Sequence, residues 1–253
     1  MTAKRWAIDG DAGRVILGVA AIALLLFVGC GGDAKSTAPA SRLVDGCLRL
    51  GTDARPIHIR ISGSFAVEGA VVGQGRAGVV LANQSDRNLC SWLTFARVLT
   101  RAGFRVLLFD YSGVDPQADV AAAAKDLHQL GASSVALMGA SKGARAVLVA
   151  GSLRGVDASA VISLSAESTG RTGPPRIAPF VRRLRVPILF VAARHDPWTG
   201  DGRDTHELYQ AARASGRRLV EVPGDAHGVE LLEGARGKRV SGLVIAFLRR
   251  AAE

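Results

Sequence analysis

Short apolar runs bounded by glycine, proline, asparagine or aspartate recur along the chain and predict β-strands. The strands are expected at 57–62, 66–72, 78–83, 105–111, 134–140, 160–165, 187–194 and 218–223. Longer stretches rich in alanine, leucine and arginine, each with a capping residue in front, predict helices at 89–102, 117–130, 142–153, 203–215 and 237–251. From residue 78 onward strand and helix alternate, which is typical of a parallel sheet covered by helices on both faces.

Four of the predicted strands are continuously apolar, as expected for strands that are buried on both sides. They are VVLAN, RVLLFD, VALMGA and PILFVAA. The first two strands instead follow each other through short turns, which predicts antiparallel strands at the sheet edge. Only about 20 residues separate Ala166 from Val186, too few for a large lid. We therefore expect one α/β domain with a mostly parallel, eight-stranded sheet.

The N-terminus has the order of an export signal, because Lys4, Arg5 and Arg14 precede an apolar run at 15–28. The run is short for a membrane-spanning helix. It ends in FVGC followed by GGD, and this order resembles a bacterial lipoprotein signal in which Cys30 carries the lipid. An uncleaved signal anchor is the alternative. Both interpretations place the rest of the chain outside the cytoplasm, and the first anchors it to the cell membrane.

The organisation that follows is a signal peptide at 1–29, a lipidated cysteine with a flexible tether at 30–44, and a folded domain at 45–253. The tether is rich in small residues and turn formers. Only Cys47 and Cys90 remain in the folded part, so a disulfide between them is possible in an oxidising compartment. Two separate thiols are the alternative.

The composition is globular, with 48% hydrophobic and 21% charged residues, and it excludes long disorder and collagen. The formal net charge is +10, but the arginines are scattered and only 5% of residues are aromatic. The stacking platforms of single-strand binders are therefore not expected, nor is a nucleic-acid partner. The charge favours attraction to anionic envelope or membrane surfaces, or it reflects only an arginine-rich proteome.

A glycine pattern at 73–78, GQGRAG, matches the dinucleotide-binding spacing and follows a predicted strand. That mechanism needs a helix opening at the glycines, so that its N-terminus faces the pyrophosphate. Another strand follows here instead. We therefore predict a glycine-rich hairpin turn and no nucleotide site.

The sequence GASKG at 139–143 lies between an apolar strand and a predicted helix. This is the context of a nucleophile elbow, in which Ser141 occupies a sharp strand-to-helix turn. The elbow predicts an acid and then a histidine later in the chain, each after a strand. Asp196 and His227 arrive in that order, and Glu167 is the rival acid. His195 is expected to lie beside the site or at the surface.

A serine hydroxyl attacks only when an imidazole takes its proton and a carboxylate orients that imidazole. These roles fall to Ser141, His227 and Asp196. The oxyanion needs two backbone N–H donors, one from Lys142 after the nucleophile and one from the loop after the third strand, where Ser85 is the expected donor.

At GASKG, RHDPW and DAHG, and across residues 57 to 250, the chain resembles the α/β-hydrolase superfamily, in particular small dienelactone-hydrolase-like serine hydrolases. The His-Gly pair usual before the oxyanion residue is Asn83-Gln84 here. The resemblance implies the α/β-hydrolase fold and an enzyme that cleaves small carboxylic esters through an acyl-serine, with no metal or organic cofactor. The export signal places this enzyme outside the cytoplasm. A peptidase or amidase on the same residues, and a non-catalytic envelope binding protein, are the alternatives.

Overall fold

The computed structural model describes residue 47 and residues 54–62, 65–170 and 173–253. The predicted signal peptide, Cys30 and the tether at 30–44 lie outside the described residues. The chain divides into one unit at Met1–Ala38 and a second at Pro39–Glu253, and every element described below belongs to the second. Among the helices of the described part, none combines the length and the apolar character that crossing a bilayer requires.

The centre of the described domain is a sheet of eight strands, in the order β1-β2-β4-β3-β5-β6-β7-β8. The strands are β1 (Arg55–Ser62), β2 (Phe65–Val72), β3 (Ala77–Ala82), β4 (Arg105–Phe109), β5 (Ser134–Ala140), β6 (Ala160–Leu164), β7 (Ile188–Ala193) and β8 (Arg218–Val222). The six strands β3 to β8 are parallel, whereas β1 and β2 are antiparallel to their neighbours. The predicted α/β class and mostly parallel sheet are confirmed.

Helices cover both faces of the sheet. They are α1 (Leu93–Arg101), α2 (Pro116–Gln129), α3 (Lys142–Ala150), α4 (Ala178–Val181), α5 (Arg203–Ala211) and α6 (Gly234–Ala251). The apolar sides of α1 and α6 pack on one face, and those of the other four helices pack on the opposite face. Along β5, Val135 and Leu137 join one core and Ala136 and Met138 the other, because successive side chains of a strand point to opposite faces.

The glycine pattern at 73–78 does not form the predicted hairpin. It contains the turn from β2 to β3, but β4 lies between these two strands in the sheet. Gly73 has a φ of 78°, and a side chain at Gly75 would place its Cβ 2.0 Å from the Gly103 carbonyl oxygen. The glycines are therefore explained by a tight passage over the turn before β4, and no helix opens there.

Two helix predictions change at their starts, and one short helix was not predicted. The segment expected at 89–102 begins as a 3-10 turn, Leu89–Trp92, whose first residues are capped by the Asn88 side chain, and only then becomes α1. The last helix begins at Gly234, earlier than expected. The short helix α4 was not predicted, because four residues with an internal proline give no periodic signal.

A disulfide joins Cys47 to Cys90, across a sequence separation of 43 residues. The two Cα atoms are 5.9 Å apart, which lies within the usual range for such a bridge. Cys90 belongs to the 3-10 turn in front of α1. The structure therefore places these two cysteines together, rather than as separate thiols.

The close approach of α3 to β3 yields a stability prediction. A Cβ on Gly143 would lie 2.1 Å from the Ala82 carbonyl oxygen, so we expect Gly143→Ala to lower the free energy of unfolding by about 3 kcal/mol. Gly242→Ala, in α6 with no atom within 4 Å of the added methyl, is the matched control. The control should raise the free energy of unfolding by about 0.5–1 kcal/mol. Urea unfolding of the two variants measures both values, and equal stability would contradict the prediction.

Candidate active site

Ser141 forms the whole turn between two elements, since β5 ends at Ala140 and α3 begins at Lys142. Its φ of 51° and ψ of −114° lie outside the regions that a non-glycine residue ordinarily adopts. Its N–H donates to the Leu164 carbonyl 2.9 Å away, which fixes the turn against β6. The serine is 7% exposed, at the carboxyl edge of the parallel sheet. Such strain at a buried turn is typical of functional residues.

The two glycines of GASKG are required by contacts between main chains. A Cβ on Gly139 would lie 2.2 Å from the Gly143 carbonyl oxygen, and one on Gly143 would meet β3. These are distances that no side chain tolerates. Strand β5, the first turn of α3 and the end of β3 can approach one another only because both positions lack a side chain.

Asp196 and His227 form a hydrogen-bonded pair. Both carboxylate oxygens lie near His227 Nδ1, at 3.0 Å for Oδ1 and 2.9 Å for Oδ2. Asp196 is fully buried, and its Oδ1 also accepts the Trp198 N–H at 3.0 Å. Because an ionised carboxylate only accepts hydrogen bonds, Nδ1 carries the proton and Nε2 presents its lone pair. That tautomer is the one a general base needs.

Gly228 brings the histidine loop to the serine turn. A Cβ on Gly228 would lie 3.4 Å from the Cβ of Ala140, so the residue after His227 contacts the residue before Ser141. The Gly228 N–H donates to Ser165 Oγ at 3.1 Å, which ties the same loop to the end of β6. In the described part of the chain no hydrogen bond links the Ser141 hydroxyl to His227. Such contacts commonly tighten only when substrate is bound.

The expected oxyanion donors Lys142 and Ser85 line one cavity of about 430 Å³, together with Trp198. The Lys142 N–H is at the first position of α3, where no carbonyl within the helix can accept it. The N-terminal end of a helix also favours negative charge. Ser85 follows β3 in an exposed loop. The structure therefore brings both residues to the same edge of the sheet as Ser141.

Asn83 ties the loop after β3 to the end of β4. Its side-chain amide donates to the Phe109 carbonyl at 2.9 Å and to Asp110 Oδ1 at 3.0 Å. The main-chain carbonyl of Asn83 accepts a hydrogen bond from the Tyr111 hydroxyl at 2.9 Å. Asp110 also accepts the Leu89 N–H at 2.8 Å, which joins the turn before α1 to the same group. Asn83 and Asp110 together thus cross-link three segments, the loop after β3, the end of β4 and the turn before α1.

Gln84 connects the loop after β3 to the loop that holds His227. Its side chain is 4% exposed, and its Oε1 accepts the Val229 N–H at 3.0 Å. Its Nε2 donates to Asp86 Oδ1 at 2.9 Å, and this bond holds the pKa of the Asp86 carboxyl below its ordinary value. Sequence reasoning missed this role, and also that of Ser165. The only local signal was a pair of amides placed directly after a buried strand.

The Lys142 side chain lies over the Tyr111 ring, with Nζ 4.1 Å from the ring centroid. Burial lowers the pKa of this ammonium group, and the nearby carboxylates Asp119 and Asp110 oppose that shift. Burial also raises the pKa of the Tyr111 hydroxyl above its ordinary value. A half-buried cation therefore lies next to the serine in the cavity wall.

Glu167, the rival acid, also lines the cavity. Burial raises the pKa of its carboxyl, and the Arg145 guanidinium opposes that rise. Arg145 is itself buried and donates to the main-chain oxygens of Glu167 at 2.8 Å and Pro174 at 2.7 Å. It holds the segment after β6 in place. His227 Nδ1 therefore hydrogen-bonds the Asp196 carboxylate, whereas Glu167 lines the cavity.

Trp198, Trp92 and His195 differ in their exposure and in their distance from the site. Trp198 is 69% exposed, and its ring centroid lies 6.0 Å from that of His227. Trp92 is fully buried and packs against Phe95 in the core. His195 is exposed at the surface. Among the described residues no group of three or more His, Cys, Asp or Glu side chains is placed to hold a metal ion.

The fold is that of known α/β-hydrolases. An esterase of Pyrococcus furiosus superposes with a TM-score of 0.68 at 14% identity, covering 80% of this chain and 92% of its own. A dienelactone hydrolase of Anabaena variabilis gives 0.65 at 20% identity, with coverage of 79% and 98%. An esterase domain of Rhodothermus marinus gives 0.65 at 22% identity, with coverage of 79% and 99%. No family model matches the chain, and no curated protein matches it in sequence.

The hydrogen bond between Gln84 and Val229 yields a second stability prediction. Gln84→Ala leaves the buried Val229 N–H without its acceptor, so we expect the free energy of unfolding to fall by about 1–3 kcal/mol. Gln74→Ala, at an exposed turn residue, is the matched control and should change it by less than about 0.5 kcal/mol. Chemical denaturation monitored by tryptophan fluorescence gives both values. A loss of unfolding free energy in Gln84→Ala no larger than that of the control would contradict this role of Gln84.

Proposed function

We propose that the protein is a serine hydrolase that cleaves small carboxylic esters through an acyl-serine intermediate. The observation that carries this proposal is the buried Asp196 carboxylate held 2.9 Å from His227 Nδ1, at the sheet edge where Ser141 forms a strained turn. These are the groups of a Ser-His-Asp triad, in the chain order of α/β-hydrolases. No metal or organic cofactor is needed for this reaction.

The chemistry assigns one role to each residue. Ser141 Oγ attacks the ester carbonyl carbon while His227 Nε2 takes the hydroxyl proton, and Asp196 stabilises the imidazolium that forms. The carbonyl oxygen becomes an oxyanion, which the N–H groups of Lys142 and Ser85 stabilise. The C–O bond to the leaving group then breaks, and the alkoxide receives the proton from His227. Water, deprotonated by His227, attacks the acyl-serine, releases the carboxylic acid and restores Ser141.

Esters are favoured over amides as substrates because the three superposed proteins are described as two esterases and a dienelactone hydrolase. The cavity of about 430 Å³ fits a small molecule. Among the described residues of the segment after β6, the one helix is the short α4, so we expect substrate to enter from solvent without displacing a lid.

We also propose that the protein acts outside the cytoplasm, held to the cell membrane by lipid on Cys30. The support is the charged and then apolar N-terminus in the sequence, together with the Cys47–Cys90 bridge, since disulfides persist in oxidising compartments.

An activated serine is tested by labelling residues 31–253 with a fluorophosphonate and measuring the intact mass. We expect one adduct on Ser141 that is lost in Ser141→Ala and in His227→Ala. Ester turnover should fall by about 10⁴-fold or more in each variant, with no further loss in the double variant, because the residues act as a unit. Well-folded protein that takes no label would favour a non-catalytic binding protein.

The assignment of the acid is tested by comparing Asp196→Asn with Glu167→Gln. The first keeps the shape but removes the acceptor that selects the His227 tautomer, so kcat should fall by about 10⁴-fold. The second is the matched control and should change kcat by less than about tenfold, since Glu167 does not hydrogen-bond the imidazole. A reversal of the two effects would transfer the role to Glu167.

Lipidation is tested on protein recovered from the membrane fraction of an expressing bacterium. The mass of the mature N-terminal peptide should show a chain that begins at Cys30 and carries acyl groups, and Cys30→Ser should remain at full length. A chain that still begins at Met1 with an unmodified Cys30 would contradict the proposal.

A further inference from the structure

The two helices that cover one face of the sheet carry basic residues without acidic ones. Within their bounds α1 and α6 carry seven basic residues and no acidic one, and all seven are exposed. They are Arg97, Arg101, Arg236, Lys238, Arg239, Arg249 and Arg250. The four helices of the opposite layer carry four basic and four acidic residues. Helices α1 and α6 thus carry seven exposed positive charges on one face of the sheet, whereas the four opposite helices are neutral in sum.

An apolar groove of about 810 Å³ lies on the same layer, between α1 and α6. Phe95 and Val98 line it from α1 and Ile245 from α6. Gly242 leaves the groove open, since no atom lies within 4 Å of the position that a Cβ would take. Lys238 lines the groove together with Glu233, the acid at the start of α6.

We propose that this basic layer and its groove, here called the α1–α6 face, bind the surface of an anionic phospholipid bilayer. Lysine and arginine side chains attract the phosphates of such a surface, and an apolar groove between them accepts part of an acyl chain. The combination of both features distinguishes a lipid surface from a purely polyanionic partner. Nucleic acid fits less well, because Phe95 and Phe247 on this layer are buried and provide no stacking platform.

The Cys47–Cys90 bridge supports the proposal that the α1–α6 face is the one that meets the bilayer. Cys90 lies in the turn before α1, and the next residue, Ser91, lines the groove. The chain that arrives from the N-terminus is therefore covalently attached beside the α1–α6 face. A chain anchored at its N-terminus would therefore join the described domain beside this face. The inference does not depend on ester hydrolysis, and its test measures only binding.

The experiment uses residues 31–253, which contain every described strand and helix as well as Cys47. Sedimentation with vesicles of phosphatidylcholine, with or without about one third phosphatidylglycerol, measures the partition coefficient. We expect binding only to the anionic vesicles. Each basic residue at an anionic surface contributes about fivefold, so K238Q/R239Q/R249Q should lower the partition coefficient by on the order of 100-fold.

The matched control removes three exposed arginines next to α4, on the opposite layer, in R182Q/R183Q/R185Q. Its partition coefficient should fall by less than about threefold. An equal loss in the two triple variants, or no binding to anionic vesicles, would overturn the proposal. So would tighter binding to a DNA duplex than to the vesicles that is lost in the α6 variant, because the face would then be a nucleic-acid surface.

The groove is tested at Gly242 with two side chains of equal size. Gly242→Asp places a negative charge at the groove, whereas Gly242→Asn does not, and the open space accepts either. We expect the aspartate variant to bind anionic vesicles about fivefold or more weakly than the asparagine variant. Equal binding of the two would show that the groove does not contact the bilayer and would overturn that part of the proposal.

Discussion

The whole site depends on one contact between main chains, where the first turn of α3 meets the end of β3 at Gly143. A single Cβ there would lie 2.1 Å from the Ala82 carbonyl oxygen. Because the helix starts so close to the sheet, one residue must reverse the chain direction, and Ser141 does so at a φ of 51°. The same approach places the N–H of Lys142 beside the loop that follows β3. The positions of the proposed nucleophile Ser141 and of the proposed oxyanion donor Lys142 thus follow from one steric constraint.

Much of the fold could be predicted because its signals are local. The parallel strands are continuous apolar runs, and the elbow, the acid loop and the histidine loop each consist of a few consecutive residues. The structure brings Asp196 to His227 as the order of the motifs implied. Element ends were less predictable, since the Asn88 cap turns the start of the helix expected at 89–102 into a 3-10 turn.

Other features could not be predicted because they depend on residues far apart in sequence. The insertion of β4 between β2 and β3 is a property of the whole sheet, and the turn at 73–76 looks the same whether its strands pair or not. Gln84 bonds a residue 145 positions away, so no local pattern contains that contact. It links the loop after β3 to the loop that holds His227, and a shift in either loop is therefore transmitted to the other.

The Cys47–Cys90 bridge also determines how the fold bears mechanical load. Tension applied to the N-terminus passes through the disulfide into the turn before α1, so the residues between the two cysteines carry none of it. Those residues include β1, an edge strand paired only with β2, which a direct pull would peel away one hydrogen bond at a time. With the bridge intact, the force instead enters at Cys90 and reaches the buried Trp92 and Leu93. A pull on the N-terminus is then opposed by the packed turn before α1, while the edge strand β1 stays unloaded.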